Sequence, residues 1–259
     1  IAAEQAEKAA RLAPYQPPDE FARRYTEDPY AGEIAWTDYA LGPLFDRLSS
    51  LPRKTLVIVT ADHGESLGDH GELTHGIFAY EPTLRVPLIV AELGAGTSPA
   101  TGVTIDAAVR HVDLVPTILE SAGAGRDDSL PGASLVELMR SGRGADRPSY
   151  FEAMTANLSR GWAPLRGVIV GRDKYIDLPT QELYALDTDA REESNLAEAR
   201  RDRTEMLLNA LRGFNVAPPS LPGEETSAVR DRLRALGYVG GSPAAPRNRY
   251  EEADDPKRL

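Results

Sequence analysis

The chain has 259 residues, 41% of them apolar and 27% charged, the proportions of a globular protein with a sizeable core rather than a disordered or fibrous one. It has no cysteine, which excludes a disulfide framework, a thiolate zinc site and a cysteine nucleophile within these residues, and no apolar run approaches the ~20 residues of a membrane span. Its net charge of −11, from 29 basic and 40 acidic residues, argues against non-specific binding to nucleic acid or to an anionic membrane, but not against an anionic substrate held by a metal or a local cation.

Residues 1–12 are rich in Ala and Glu and have good helix propensity. They show no initiator Met, basic n-region or apolar h-region and do not read as a signal peptide. Three prolines then exclude regular helix over 13–18. From Tyr30 to Leu51, Ile34, Leu41, Leu44, Phe45 and Leu48 recur at helical spacing, with a kink or break expected at Gly42-Pro43. Leu56–Thr60 is a β-branched run without polar alternation, which predicts a strand buried on both faces, as in a parallel sheet. Val86–Val90 predicts a second strand, with Pro87 at its start or at a sheet edge. Asp113 to Leu119 opens a helix, with Asp113 as N-cap, Pro116 in the permissive first turn and Gly123 at the close.

Beyond residue 125 the texture changes. Short runs at 167–170, 174–176 and 182–186, separated by Gly, Asp and Pro, predict small antiparallel strands. Residues 198–213 and 225–236 predict amphipathic helices, each ended by a glycine. The tail from 240 to 259 lacks apolar periodicity and is expected to be disordered.

The chemistry concentrates after the first strand. Three of the four histidines, His63, His70 and His75, fall within thirteen residues, and Asp-His-Gly-Glu occurs twice, seven residues apart. A carboxylate beside an imidazole suits several divalent ions. In open α/β sheets such ligands sit outside the carboxyl ends of strands. Asp62 and His63 are therefore candidate metal ligands. Asp69 and His70 are candidates for an outer shell around them or for a structural loop.

Thr55 to Val90, TLVIVTADHGESLGDHGELTHGIFAYEPTLRVPLIV, closely resembles the metal-binding and substrate-pocket segment of the sulfatases, in the alkaline phosphatase superfamily. Further likenesses lie at Ala13-Pro14-Tyr15, His111 to Thr117, Leu130 to Leu135, Leu183 to Leu186 with Glu193 and Asn195-Leu196, and Leu236-Gly237-Tyr238. The resemblance implies the C-terminal half of a sulfatase-like hydrolase. In fold it implies an α/β chain: part of an alkaline-phosphatase-like mixed sheet flanked by helices over 13–125, then a small α+β subdomain over 126–239. In function it implies sulfuric ester hydrolysis at a divalent-metal site, with phosphoric ester or phosphonate hydrolysis as the alternative. A third reading is an inactive truncated module.

By the same resemblance, Asp62 and His63 match two ligands of the ion, calcium first, with manganese, magnesium or zinc as the other candidates. His75 lies where many members place a Lys or His that touches the substrate anion or leaving group, so it is the candidate catalytic and substrate-binding residue. Glu81 and Arg85, in the Tyr-Glu-x-x-x-Arg-Val-Pro stretch, read as structural. Two family motifs are not found in these residues: the paired Asp, and the Cys/Ser-x-Pro-x-Arg nucleophile whose first residue becomes formylglycine. Trp162-Ala163-Pro164-Leu165-Arg166 has that frame by coincidence, since indole cannot attack sulfur or phosphorus. The chain taken alone is therefore expected to be inactive and to self-associate through strand edges that expect the N-terminal half. The implied partners are a sulfate or phosphate ester and that missing half. The family suggests a periplasmic or extracellular parent. Asn157-Leu158-Ser159 is a glycosylation triplet by spacing alone, and Arg191 to Arg203 reads as a solvated face.

Overall fold

A computed structural model describes residues 19–97, 102–144, 147–216, 247 and 249–258. The expectations for 1–18, for the helix at 225–236 and for 240–246 lie outside the described residues. Two compact units are present: residues up to 59 with 89–102, and residues 60–88 with 103 onward. No described helix is long and apolar enough to cross a membrane.

The first unit holds α1 (Asp19–Arg24), α2 (Pro29–Ser49) and the strands β1 (Thr55–Thr60) and β2 (Leu88–Leu93), which pair in a two-stranded sheet. Helix α2 starts where Asp28 accepts the Ala31 N–H at 3.0 Å, with Pro29 as its first residue. It runs through Gly42-Pro43 as one helix, so of the expected kink or break the break does not occur. Strand β2 starts just after Pro87, because proline cannot donate to a ladder. Strand β1 is only half-buried along its length, not sealed on both faces as its apolar run predicts. A two-stranded sheet cannot cover both of its faces.

The second unit is built on a four-stranded antiparallel sheet in the order β3 (Ser149–Ala153), β4 (Leu165–Val170), β5 (Asp173–Asp177), β6 (Glu182–Ala185). Three of these strands match the predicted runs; β3 was not foreseen. Alternation places Val168, Tyr175 and Leu183 on one face, where Leu207 and Leu211 of α7 (Arg201–Arg212) close over them. Leu165, Ile176 and Tyr184 lie on the other face, packed with Ala79, Tyr80 and Phe151. Both faces are thus buried, which is why the runs read as continuous apolar stretches. In chain order α3 (Glu81–Leu84) lies between β1 and β2, α4 (Leu114–Ser121) and α5 (Val136–Ser141) between β2 and β3, and α6 (Thr155–Arg160) between β3 and β4.

Asp113 stands before α4 but does not cap it. Its fully buried carboxylate accepts from the Arg110 backbone N–H, the Arg110 and Arg147 guanidiniums and the Ala133 N–H. The predicted cap is instead the knot of a small network, and Gly132 within it has no room for a Cβ against Val112. Gly123 ends the helix region with φ +70°, as predicted. The tail departs most from expectation: 249–258 form two 3₁₀ turns, Glu252–Asp254 and Pro256–Arg258. Asp255 is fully buried and accepts the Thr180 N–H at 3.0 Å. Polar pairing, invisible to apolar periodicity, holds this segment.

Candidate functional site

The loop from 61 to 80 carries the Asp-His clusters, and its shape is set by one buried side chain. Glu72 accepts from the Ile77 N–H at 2.8 Å, the Phe78 N–H at 3.1 Å and the Ser66 hydroxyl at 3.3 Å. Left-handed backbone at Leu67 and His70, both with φ +52°, and at Gly68 and Gly71 folds the loop back on itself. Gly64 donates to the Thr83 carbonyl at 2.9 Å and lies so close to Pro82 that any Cβ would collide with its carbonyl oxygen. Glycine is required there. Further on, Tyr80 inserts into the sheet's core and its hydroxyl donates to Glu182 at 2.9 Å. The Glu81 N–H donates to Glu192 at 2.6 Å. The loop is therefore held by the rigid second sheet, as a site that must keep its geometry needs.

On this frame the candidate metal ligands stand together. Asp62 Oδ2 is 3.7 Å from His63 Nε2, and Asp62 Oδ1 accepts the His63 backbone N–H at 3.0 Å. That N–H, and the imidazoles of His63 and His75, hold the Asp62 carboxyl below its usual range, so it stays an anion. His63 Nδ1 lies 2.9 Å from the Gly64 carbonyl. A carbonyl can only accept, so Nδ1 carries a proton and Nε2 is the ring nitrogen turned toward Asp62. Atoms 3.7 Å apart lie within the span of two metal–ligand bonds, so the pair fits a shared divalent ion.

His75 comes to the same place. Its ring lies 3.9 Å from that of His63, tilted by 35°. Its Nδ1 is 2.8 Å from Glu65 Oε1. His63, Glu65 and His75 each offer a ligand atom within 4.8 Å of the others, the one such group among the described residues. Glu65 is the residue that the sequence reading missed. The signal was present: the repeated His-Gly-Glu gives two glutamates the same local position, and the fold assigns them different tasks, Glu72 to backbone N–H groups and Glu65 to an imidazole.

The second Asp-His pair has its own partners. His70 stacks on Tyr80, with ring centroids 3.6 Å apart and 14° between planes, and its Nε2 meets the Glu192 carbonyl at 3.1 Å. Asp69 Oδ1 is 3.6 Å from His70 Nδ1. This pair seats the loop on the second sheet. The fourth histidine, His111, binds the Ala61 carbonyl at 2.9 Å and so braces the residue before Asp62. Glu81 belongs to a buried ionic group with Lys174 and Glu192. Asn157 is occupied by the Trp162 carbonyl and the Tyr250 hydroxyl. Trp162 precedes β4, away from the histidine loop in sequence, with Arg160 over its ring.

The sulfatase family model matches residues 7–124. Choline-sulfatase of Rhizobium meliloti is 30% identical over 193 residues, covering 73% of this chain and 36% of that protein. Arylsulfatase of Clostridium perfringens is 26% identical over 189 residues, covering 70% and 38%. The solved phosphonate monoester hydrolase of Agrobacterium radiobacter shares the fold, with a TM-score of 0.56 at 21% identity over 84% of this chain and 44% of that one. The chain spans a little over a third of the length of these curated relatives.

Proposed function

The chain belongs to the sulfatase family, and from that premise we propose that it supplies the metal-ligating and leaving-group side of a sulfuric ester hydrolase site. The observation that carries this reading is the convergence of Asp62, His63 and His75 within one loop. Asp62 and His63 hold a divalent cation, calcium first because an ionised, 83%-exposed carboxylate is a hard oxygen donor that leaves room for water and further oxygens. When bound, the ion supplies positive charge that polarises an ester oxygen. His75 contacts the anion or protonates the departing oxygen. The nucleophile is not among these residues, so the chain alone is inactive.

A second reading keeps the site and changes the ester to a phosphate or phosphonate, as the name of the Agrobacterium neighbour suggests. The test is hydrolysis of matched aryl sulfate, aryl phosphate and aryl phosphonate by the complete gene product. A highest kcat/KM on the sulfate supports the first reading, on either phosphorus ester the second. Turnover of none of them overturns both.

A further inference from the structure

We propose that Lys257 is a positioning residue for the histidine loop: the segment 249–258 straps the second sheet and, through Glu182 and Tyr80, sets where that loop stands. The inference rests on the reading of the 61–80 loop as the site and adds a control on it from a segment distant in sequence. Glu182, at the start of β6, is 1% exposed, and its two carboxylate oxygens are served by different parts of the chain. Oε2 accepts from the Tyr80 hydroxyl at 2.9 Å and from the Tyr184 hydroxyl at 3.1 Å. Oε1 accepts from the Lys257 ammonium, which also stands 5.3 Å from the centroid of the Tyr80 ring.

Lys257 is the one cation paired with Glu182 among the described residues. The other lysine beside Tyr80, Lys174, is committed to Glu81 and Glu192. A buried carboxylate that loses its cation takes up a proton or turns toward water. Either change weakens its hold on the Tyr80 hydroxyl. Tyr80 in turn carries the loop. His70 stacks on its ring at 3.6 Å, and Phe78, two residues before it, donates to Glu72, the side chain that shapes the loop. The strap is built to present Lys257. Asp255 accepts the Thr180 and Lys257 backbone N–H groups, both at 3.0 Å. The Asp254 carbonyl accepts the Ala163 N–H at 2.8 Å, and the Tyr250 hydroxyl meets Asn157 at 2.8 Å.

The experiment is hydrogen exchange of the complete gene product, read by mass spectrometry in wild type, Lys257→Met and Lys257→Arg, with neither ion nor ester added. The β4–β5 ladder is bonded strand to strand without the strap and serves as the internal reference. Lys257→Met should speed exchange at Ile77 and Phe78 at least about tenfold, while β4 and β5 change less than about twofold. Lys257→Arg, which keeps a cation on Glu182, should stay close to wild type. Should Lys257→Met fail to fold by circular dichroism, Tyr80→Phe decides, since it keeps the ring in the core and removes only the hydroxyl. It should show the same local acceleration. Unchanged loop exchange in the deciding variant, or equal acceleration in the loop and in β4 and β5, overturns the proposal. Because no turnover is measured, that failure leaves the ester reading standing, and a gene product inactive on every ester leaves this result standing.

Discussion

Lys174 Nζ lies 2.7 Å from Glu192 Oε1, and neither side chain has any exposed surface. Lys174 also reaches Glu81 at 3.4 Å and faces the rings of Tyr80 and Phe151. Burial raises the Glu192 carboxyl above its ordinary range, even though Lys174 and the Glu81 N–H pull it down. The pair joins the histidine loop to the second sheet. Replacing one partner strands the other charge in the core. Lys174→Met should therefore cost about 3–5 kcal/mol, while the double change Lys174→Met with Glu192→Leu should recover much of it. Chemical denaturation of the three proteins checks this; a single variant as stable as wild type would contradict it.

Asp113 makes the opposite electrostatic case. Burial alone would raise its carboxyl, but Arg110, the Ala133 N–H and Arg147 more than offset this and hold it below the ordinary value of 3.8. A depressed folded-state value means that the unfolded chain binds the proton more tightly. The contribution is complete above the ordinary value and is lost as pH falls through the folded one. Asp113→Asn should lower stability at neutral pH and flatten its decline below about pH 4. Melting temperature against pH, in both proteins, reads the two effects together. Equal acid slopes would remove Asp113 from the account.

His70 should matter to stability and not to the ion. Its ring covers Tyr80 and its Nε2 meets Glu192. His70→Ala should lower the melting temperature, and His70→Phe, which keeps a ring against Tyr80, should restore part of it. Calcium affinity should stay within about twofold in both. A tenfold loss of affinity in the folded His70→Phe protein would return Asp69 and His70 to the outer shell of the ion.

The chain by itself should not hydrolyse aryl sulfate or aryl phosphate, because covalent catalysis without its nucleophile loses orders of magnitude in rate. It should also self-associate, since β1 is incompletely covered and Ile89 of β2 is 59% exposed. Light scattering and a chromogenic assay with added calcium address both. A monodisperse monomer with metal-dependent turnover would point to a nucleophile within these residues.

Much of this was legible in the residues. The unalternating runs at 167–170 and 182–186 gave strands because burial on both faces leaves an apolar signature, and the run at 56–60 also gave a strand although it is only half-buried. The nearness of Asp62, His63 and His75 was legible from the clustering of the histidines in the sequence. What the sequence hid was long-range polar pairing. Glu65 meets His75 ten residues on, and Asp113 meets Ala133 and Arg147 rather than capping its own helix. Asp255 reaches Thr180 across 75 residues, which ordered a tail that apolar periodicity left blank. Charged partners so distant leave no periodic trace. The continuous α2 has the same moral in reverse: Pro43 reads as a break locally, yet the helix runs on to Ser49.

Hydrolysis should depend on a divalent ion held by Asp62 and His63. The most direct measurement is reactivation of the chelator-treated complete gene product by calcium, read as aryl sulfate turnover, in wild type, Asp62→Asn and His63→Ala. The account predicts recovery of wild-type activity with calcium. It also predicts a concentration for half-recovery raised at least about tenfold in each variant, with the fold unchanged by circular dichroism. Activity that survives chelation, or variants that recover at the wild-type calcium concentration, would contradict it.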